Sequence, residues 1–224
     1  MAASGRQYQS LRWLFAPVAD RIAYICENGA LAMYRGEAIV TKTMPRDLAL
    51  KMAGEMAELE GCEPFVSGVE RCYLLHGYDA LFAHLDGVLH NECRVLDRFD
   101  QIDEPVLKVA YRGTEDRMPG LNAHFAAAYG DTCNVVTSGT VWMDITMPGV
   151  DKGVAIAGFG AAEGIEPAQM VAFGDNLNDR EMLDYVGHPY LMESCNPAMH
   201  GLNDRVRYCE TVEGQLEQLL ASVR

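Results

Sequence analysis

Apolar residues recur along this chain with two different periods, and the alternation between them outlines its elements. Tyr8 to Phe15 fits a short helix, and Arg21 to Cys26 is an apolar run of strand length that breaks at Glu27-Asn28-Gly29, a turn signal. Ala30 to Tyr34 and Ala38 to Thr43 flank Arg35-Gly36-Glu37 as a hairpin. From Pro45 to Leu59 the apolar positions Leu48, Met52, Met56 and Leu59 fall on one helical face, opened by Pro45 and stopped by Gly61. Strands are predicted at Pro64 to Val69, Arg71 to Leu75 and Pro105 to Tyr111, and helices at Tyr78 to Leu85 and Leu121 to Tyr129. A second hairpin joins Thr132 to Thr137 with Thr140 to Thr146 around Ser138-Gly139. This middle stretch is α+β.

Past Gly149 the order becomes helix (Lys152 to Glu163), strand (Met170 to Phe173), helix (Asp179 to Val186) and strand (Pro189 to Met192), the alternation of a parallel sheet with crossover helices. The change of pattern divides the chain into a first core segment, 1–43, an inserted segment, 44–147, and a second core segment, 148–224.

Composition narrows the class. At 224 residues and 49% hydrophobic the chain can bury a sizeable core. No apolar run reaches the roughly 18 residues of a membrane span, and Met1 to Gln9 lacks the basic and apolar stretches of a signal peptide. The expectation is a soluble, cytoplasmic protein with no membrane partner. A net charge of -14 argues against nucleic acid, whose backbone is bound by Lys and Arg. The seven cysteines are scattered, form no C-x-x-C pair and read as small buried thiols.

The stretch Val171-Ala-Phe-Gly-Asp175-Asn-Leu-Asn178-Asp179-Arg-Glu181-Met-Leu183 is an apolar strand that breaks at Gly-Asp and restarts as a helix. In open α/β sheets ligands sit beyond the carboxyl ends of the strands, where Asp175 falls, and Asp179 at the following helix start can face the same crevice. Two hard oxygen donors there suit a Mg²⁺ ion that keeps waters and shares a substrate phosphate. Asn178 followed by Glu181 equally matches a helix cap, with Asp179 favouring the helix dipole. Lys152 opens the preceding helix after Asp151 and can reach that crevice as a point charge for phosphate, although a lone lysine at a helix start is most often solvated surface.

Asp151-Lys-Gly-Val-Ala-Ile-Ala and then Gly164-Ile-Glu-Pro-Ala-Gln-Met-Val-Ala-Phe-Gly-Asp-Asn-Leu-Asn-Asp-Arg-Glu-Met-Leu resemble the third and fourth motifs of the Cof-type branch of the haloacid dehalogenase superfamily. Ser138-Gly-Thr-Val-Trp-Met-Asp144-Ile is similar to the strand that returns from that branch's large cap. Ala3-Ser4-Gly5-Arg6 resembles the second motif, and Glu27-Asn28-Gly29-Ala30 the turn after the third core strand. The resemblance spans nearly the whole chain in the right order.

It implies an α/β fold, a Rossmannoid parallel-sheet core, incomplete at the N-terminus, carrying an inserted α+β cap over 44–147. It further implies that Ser4 binds phosphate with Gly5 and Arg6 beside it, that Lys152 neutralises phosphate and nucleophile, that Asp175 and Asp179 hold Mg²⁺, and that Asn178 bridges substrate and metal shell. The family's first strand ends in Asp-x-Asp, the nucleophile and the general acid and base, and no such strand precedes Ser4. Ala83-His84-Leu85-Asp86-Gly87 is only a decoy, because it has His where the nucleophile belongs and lies in the cap segment. His76, His90, His124, His188 and His200 show no ligand spacing. A late start in a longer gene and a nucleophile-free relative both account for the missing motif. The function implied is a Mg²⁺-dependent phosphomonoesterase of a small phosphorylated metabolite such as a sugar phosphate, inactive as this chain. The alternative is a non-catalytic protein of the same fold that binds phosphorylated metabolites. A core short of its central strand is also expected to self-associate as a homo-oligomer.

Overall fold

A computed structural model describes residues 1–138 and 140–222, in two compact units, 1–150 and 151–224. Within the first unit the chain forms β1 (Ala2–Ala3), α1 (Tyr8–Leu14), β2 (Tyr24–Cys26), β3 (Leu31–Tyr34) and β4 (Glu37–Thr41). These strands make one sheet in the order β1-β2-β3-β4, with β1 parallel to β2 and the other pairs antiparallel. Helix α1 buries Leu11 against Tyr24, Leu31 and Met33, a cluster that also takes in Leu107 and Val150.

The rest of the unit is α2 (Arg46–Ala57), β5 (Cys62–Gly68), β6 (Cys72–Leu75), α3 (Asp79–Phe82), β7 (Cys93–Leu96), β8 (Val106–Gly113), α4 (Met118–Tyr129), β9 (Asn134–Ser138) and β10 (Trp142–Thr146). The six strands form a second sheet, β7-β6-β5-β8-β10-β9, antiparallel except for β6 and β7. Side chains alternate across it. Val66, Val109, Tyr111, Met143 and Ile145 point to α2 and α4, which supply Met52, Met56, Leu121 and Phe125. Phe65, Leu74 and Ala110 point the other way, to Leu81 and Leu85 on α3 and its π-helical continuation Ala83–Val88. His84 and Asp86 lie on that π-helix, His84 stacked on Trp142.

The second unit contains α5 (Lys152–Glu163), β11 (Val171–Gly174), α6 (Arg180–Tyr185), β12 (His188–Met192), β13 (Arg207–Cys209) and α7 (Val212–Ser222). Its three strands are parallel in the order β11-β12-β13. Gly164, at φ 68°, ends α5 in the left-handed conformation that glycine adopts without strain. Gly153 lets α5 lie against α6, because a Cβ there would meet the Glu181 carbonyl oxygen at 2.6 Å.

The helices and hairpins expected from the periodicity are present with ends displaced by a few residues, and the parallel pairing expected after Gly149 is found. Gly139, at the tip of the second predicted hairpin, lies outside the described residues. Four elements were not foreseen from the periodicity: β1, β7, β13 and α7. β7 and β13 are three or four residues long and carry an arginine each, so no alternation can establish itself. Among the described residues no helix is long and apolar enough to cross a membrane.

Candidate active site

Strand β11 stops at Gly174 because the chain then folds back on itself through a 3-10 turn, Leu177–Asp179, into α6. The reversal brings the Asp179 carboxylate over the strand end, where its Oδ2 accepts the backbone N–H groups of Asp175 (3.0 Å) and Asn176 (3.2 Å). Glycine is needed at 174: a Cβ there would lie 2.6 Å from Asp179 Cβ. The other carboxylate oxygen, Oδ1, takes the Lys152 ammonium at 2.6 Å. Lys152 and Asp179 are each only 5% exposed. Lys152, the first residue of α5, is therefore a buried, paired charge held by the residue that shapes the Asp175 loop.

Asp175 behaves differently. Its carbonyl accepts the Asn196 N–H at 2.8 Å, and its side chain is exposed at the carboxyl end of β11. Asn178 is also exposed, one residue before Asp179. The helix cap that Asn178 and Glu181 could have formed is built instead by Asn176, whose side chain accepts the Leu177 N–H, and by Asp179. This donor set suits a hard, strongly hydrated cation: one open carboxylate, an amide neighbour, and a second carboxylate with three of about four acceptor positions in use. Among the described residues no three His, Cys, Asp or Glu side chains gather into a fuller cluster.

Ser4, Gly5 and Arg6 form a loop of the first unit, straight after β1. Ser4 N–H donates to the Ile25 carbonyl at 2.9 Å, and Ser4 Oγ accepts the Arg6 N–H at 3.3 Å. Glu27 and Asn28 face the loop in left-handed conformations, φ 50° and 56°. Their N–H groups donate to Arg6 O (3.0 Å) and Ser4 O (3.1 Å). Gly5 lies so close to the Asn28 amide that a Cβ would come within 2.9 Å of its Oδ1. The Arg6 guanidinium donates to Ser10 Oγ at 3.3 Å. A cleft of about 510 Å³ near Arg46, Ile102 and Glu104 contains none of the predicted site residues, and Arg46 there is bonded to backbone carbonyls of Asp100 and Ile102.

One charged cluster escaped the sequence reading. Lys108 on β8 places its ammonium 2.8 Å from Glu27 Oε2 and 2.9 Å from Asp144 Oδ1. Burial alone would lower the lysine's pKa, but the two carboxylates outweigh it and raise it, while burial holds Glu27 above the usual carboxylate range against the pull of Lys108. The signal was present: Lys108 is the lone charge in Val106-Leu-Lys-Val-Ala-Tyr, and a charge in a buried strand needs a partner.

Residues 1–212 match the model of the haloacid dehalogenase-like hydrolases. A curated relative, the 5-amino-6-(5-phospho-D-ribitylamino)uracil phosphatase YbjI of Escherichia coli K12, is 26% identical over 199 residues, 89% of this chain and 73% of the relative. Among solved structures, a haloacid dehalogenase-like hydrolase from Bacteroides thetaiotaomicron superposes with a TM-score of 0.83 at 16% identity, over 97% of this chain and 85% of that one. A sugar phosphatase of subclass IIB gives 0.73 at 19%, over 97% and 84%. With the sequence motifs in the order the fold requires, the chain belongs to the haloacid dehalogenase-like hydrolases.

Proposed function

We propose that this protein is built for Mg²⁺-dependent phosphomonoester chemistry on a small phosphorylated metabolite. The observation that carries the reading is the pairing of a buried Lys152 with Asp179 behind an exposed Asp175 at the end of a parallel strand. Asp175, with Asp179 behind it, would hold the metal, which supplies positive charge against the phosphoryl oxygens. Lys152, held in place by Asp179, adds a fixed positive charge that costs no reorganisation when phosphate arrives. Asn178 is assigned to orient the substrate and its metal shell, and Ser4, Gly5 and Arg6 to bind phosphate oxygens through the Ser4 hydroxyl and the loop's backbone. The named relatives include a phosphatase whose substrate joins a uracil ring to a phosphorylated ribityl chain, which supports a small organic phosphate over a polymer. A cytoplasmic setting belongs to the same reading.

The reading commits Asp175 and Asp179 to the metal and assigns no nucleophile among these 224 residues. The expected outcome for this polypeptide is therefore Mg²⁺-dependent binding of inorganic phosphate without turnover of an aryl phosphate. Calorimetry and a colorimetric turnover assay test both halves. Phosphate binding that ignores Mg²⁺, or turnover that Asp175→Asn abolishes, would contradict the assignment. Self-association through the sheet edges at β1 and β11 is part of the proposal, and light scattering that reports a monomer at all concentrations would remove it.

A further inference from the structure

Glu27, Lys108 and Asp144 are the buried charges for which the phosphatase reading has no use. Their side chains are 3%, 8% and 14% exposed. Two carboxylates share one ammonium, and such a buried ionic cluster is one that apolar side chains of similar volume could replace without loss of stability. Stability is thus a poor account of it, and what the three charges touch offers a better one.

Lys108 and Asp144 stand on one face of the second sheet, on the adjacent strands β8 and β10. Ser67 on β5 is the register partner of Lys108 and lies on the same face of the sheet. Glu27 itself belongs to the turn after β2, in the first sheet. Its backbone is in the left-handed region, which a side chain other than glycine or asparagine rarely adopts, and such strain persists only where the surroundings over-determine it. The ammonium, Ser67 and Asp144 are those surroundings. The conformation they hold aims the N–H of Asn28 at Ser4 O, next to the Glu27 N–H on Arg6 O, and it presses the Asn28 amide onto Gly5. Relaxing Glu27 to negative φ would turn the Asn28 N–H, which follows that bond, away from Ser4 O.

We infer that Lys108 and Asp144 are positioning residues for the Ser4–Arg6 loop, acting through the left-handed turn at Glu27 and Asn28. The inference rests on the reading of that loop as phosphate-binding. The second sheet, by this account, does more than lie over a substrate: it sets the conformation of the loop that receives the phosphate.

The test uses the ¹⁵N-labelled 224-residue chain and inorganic phosphate with Mg²⁺. Lys108→Met is compared with Phe125→Ala, an equally buried change on the opposite face of the second sheet. Lys108→Met is expected to shift the amide resonances of Ser4, Gly5 and Asn28 and to weaken phosphate binding about tenfold, the order of loss when orienting partners are removed. Phe125→Ala is expected to lower stability while leaving those resonances and the phosphate affinity as in the wild type. Should Lys108→Met fail to fold, the charge-free triple variant Glu27→Gln, Lys108→Met, Asp144→Asn leaves no unpaired ion, and the same shifts and the same loss of affinity are expected of it. Loop resonances that stay in place in the Lys108 and triple variants, or that move as much in Phe125→Ala, would overturn the inference. Ser4→Ala separates the two claims: wild-type phosphate affinity in that variant refutes the phosphate-binding reading, whereas the positioning claim stands or falls on the amide shifts.

Discussion

Lys152 and Asp179 meet at 2.6 Å where each is almost wholly out of water, so neither can lose its partner cheaply. Lys152→Met would leave the Asp179 carboxylate buried without a cation, and breaking a buried pair from one side costs on the order of 3 to 5 kcal/mol. Urea unfolding should show that loss, and a cost below about 1 kcal/mol would mean that Asp179 is held by its backbone N–H partners alone. Asp175→Asn, at an exposed side chain, should leave the unfolding midpoint unchanged. The two aspartates looked equivalent in sequence, four positions apart at a strand end. The fold separates them, since the reversal after Gly174 turns one inward to organise the loop and leaves the other open. Spacing could not show this, because it depends on the backbone N–H groups of Asp175 and Asn176 finding Asp179 as their acceptor.

At the level of elements, α2 and α4 are joined above the second sheet by Glu55, whose carboxylate accepts from Tyr129 Oη at 2.5 Å and meets His124 Nε2 at 2.7 Å. The hydrogen bond from Tyr129, with His124 adding to it, holds the Glu55 carboxyl below its ordinary range, while burial and Glu55 push the tyrosine up to about 12. A carboxyl lowered by folding contributes stability that is present above its unfolded pKa and lost as pH falls through the folded value. Glu55→Gln is accordingly expected to cost about 1 kcal/mol at pH 7, with the gap to wild type closing in acid. Unfolding midpoints measured from pH 7 down to pH 3 check this, and a gap that persists in acid would point to packing as its cause. Elements of this kind were readable because α2, α4 and α5 bury a stripe, whereas β7 and β13 owe their strand character to pairing with β6 and β12 rather than to a pattern of their own. The link through Glu55 was beyond a pattern of apolar positions, since it joins polar residues on two helices far apart in the chain.

In the whole molecule, two compact units carry the predicted residues, Ser4, Gly5 and Arg6 in one and Lys152, Asp175, Asn178 and Asp179 in the other. Protection should differ between sheets. In its three-stranded sheet β11 pairs only with β12, whereas β5 and β8 lie inside a six-stranded sheet covered on its α2 and α4 face by a large apolar cluster. Amide exchange is expected to be slower at Val66 and Val109 than at Val171 and Phe173, and equal protection would show that the edge of β11 is covered. The family was recognisable from motifs that keep their order over nearly the full chain, each placed at a strand end or a helix start rather than among interchangeable apolar core positions. The Lys108 cluster had no such motif and emerged only when β2, β8 and β10 were placed in space. The central claim, that the crevice at Asp175 is a Mg²⁺ and phosphate site, is tested most directly by calorimetric Mg²⁺ titration with inorganic phosphate present. Wild type and Asp86→Asn, altered on the π-helix of the other unit, should bind Mg²⁺ alike, and Asp175→Asn should bind at least about tenfold more weakly. Equal affinities in Asp175→Asn and Asp86→Asn would contradict the account.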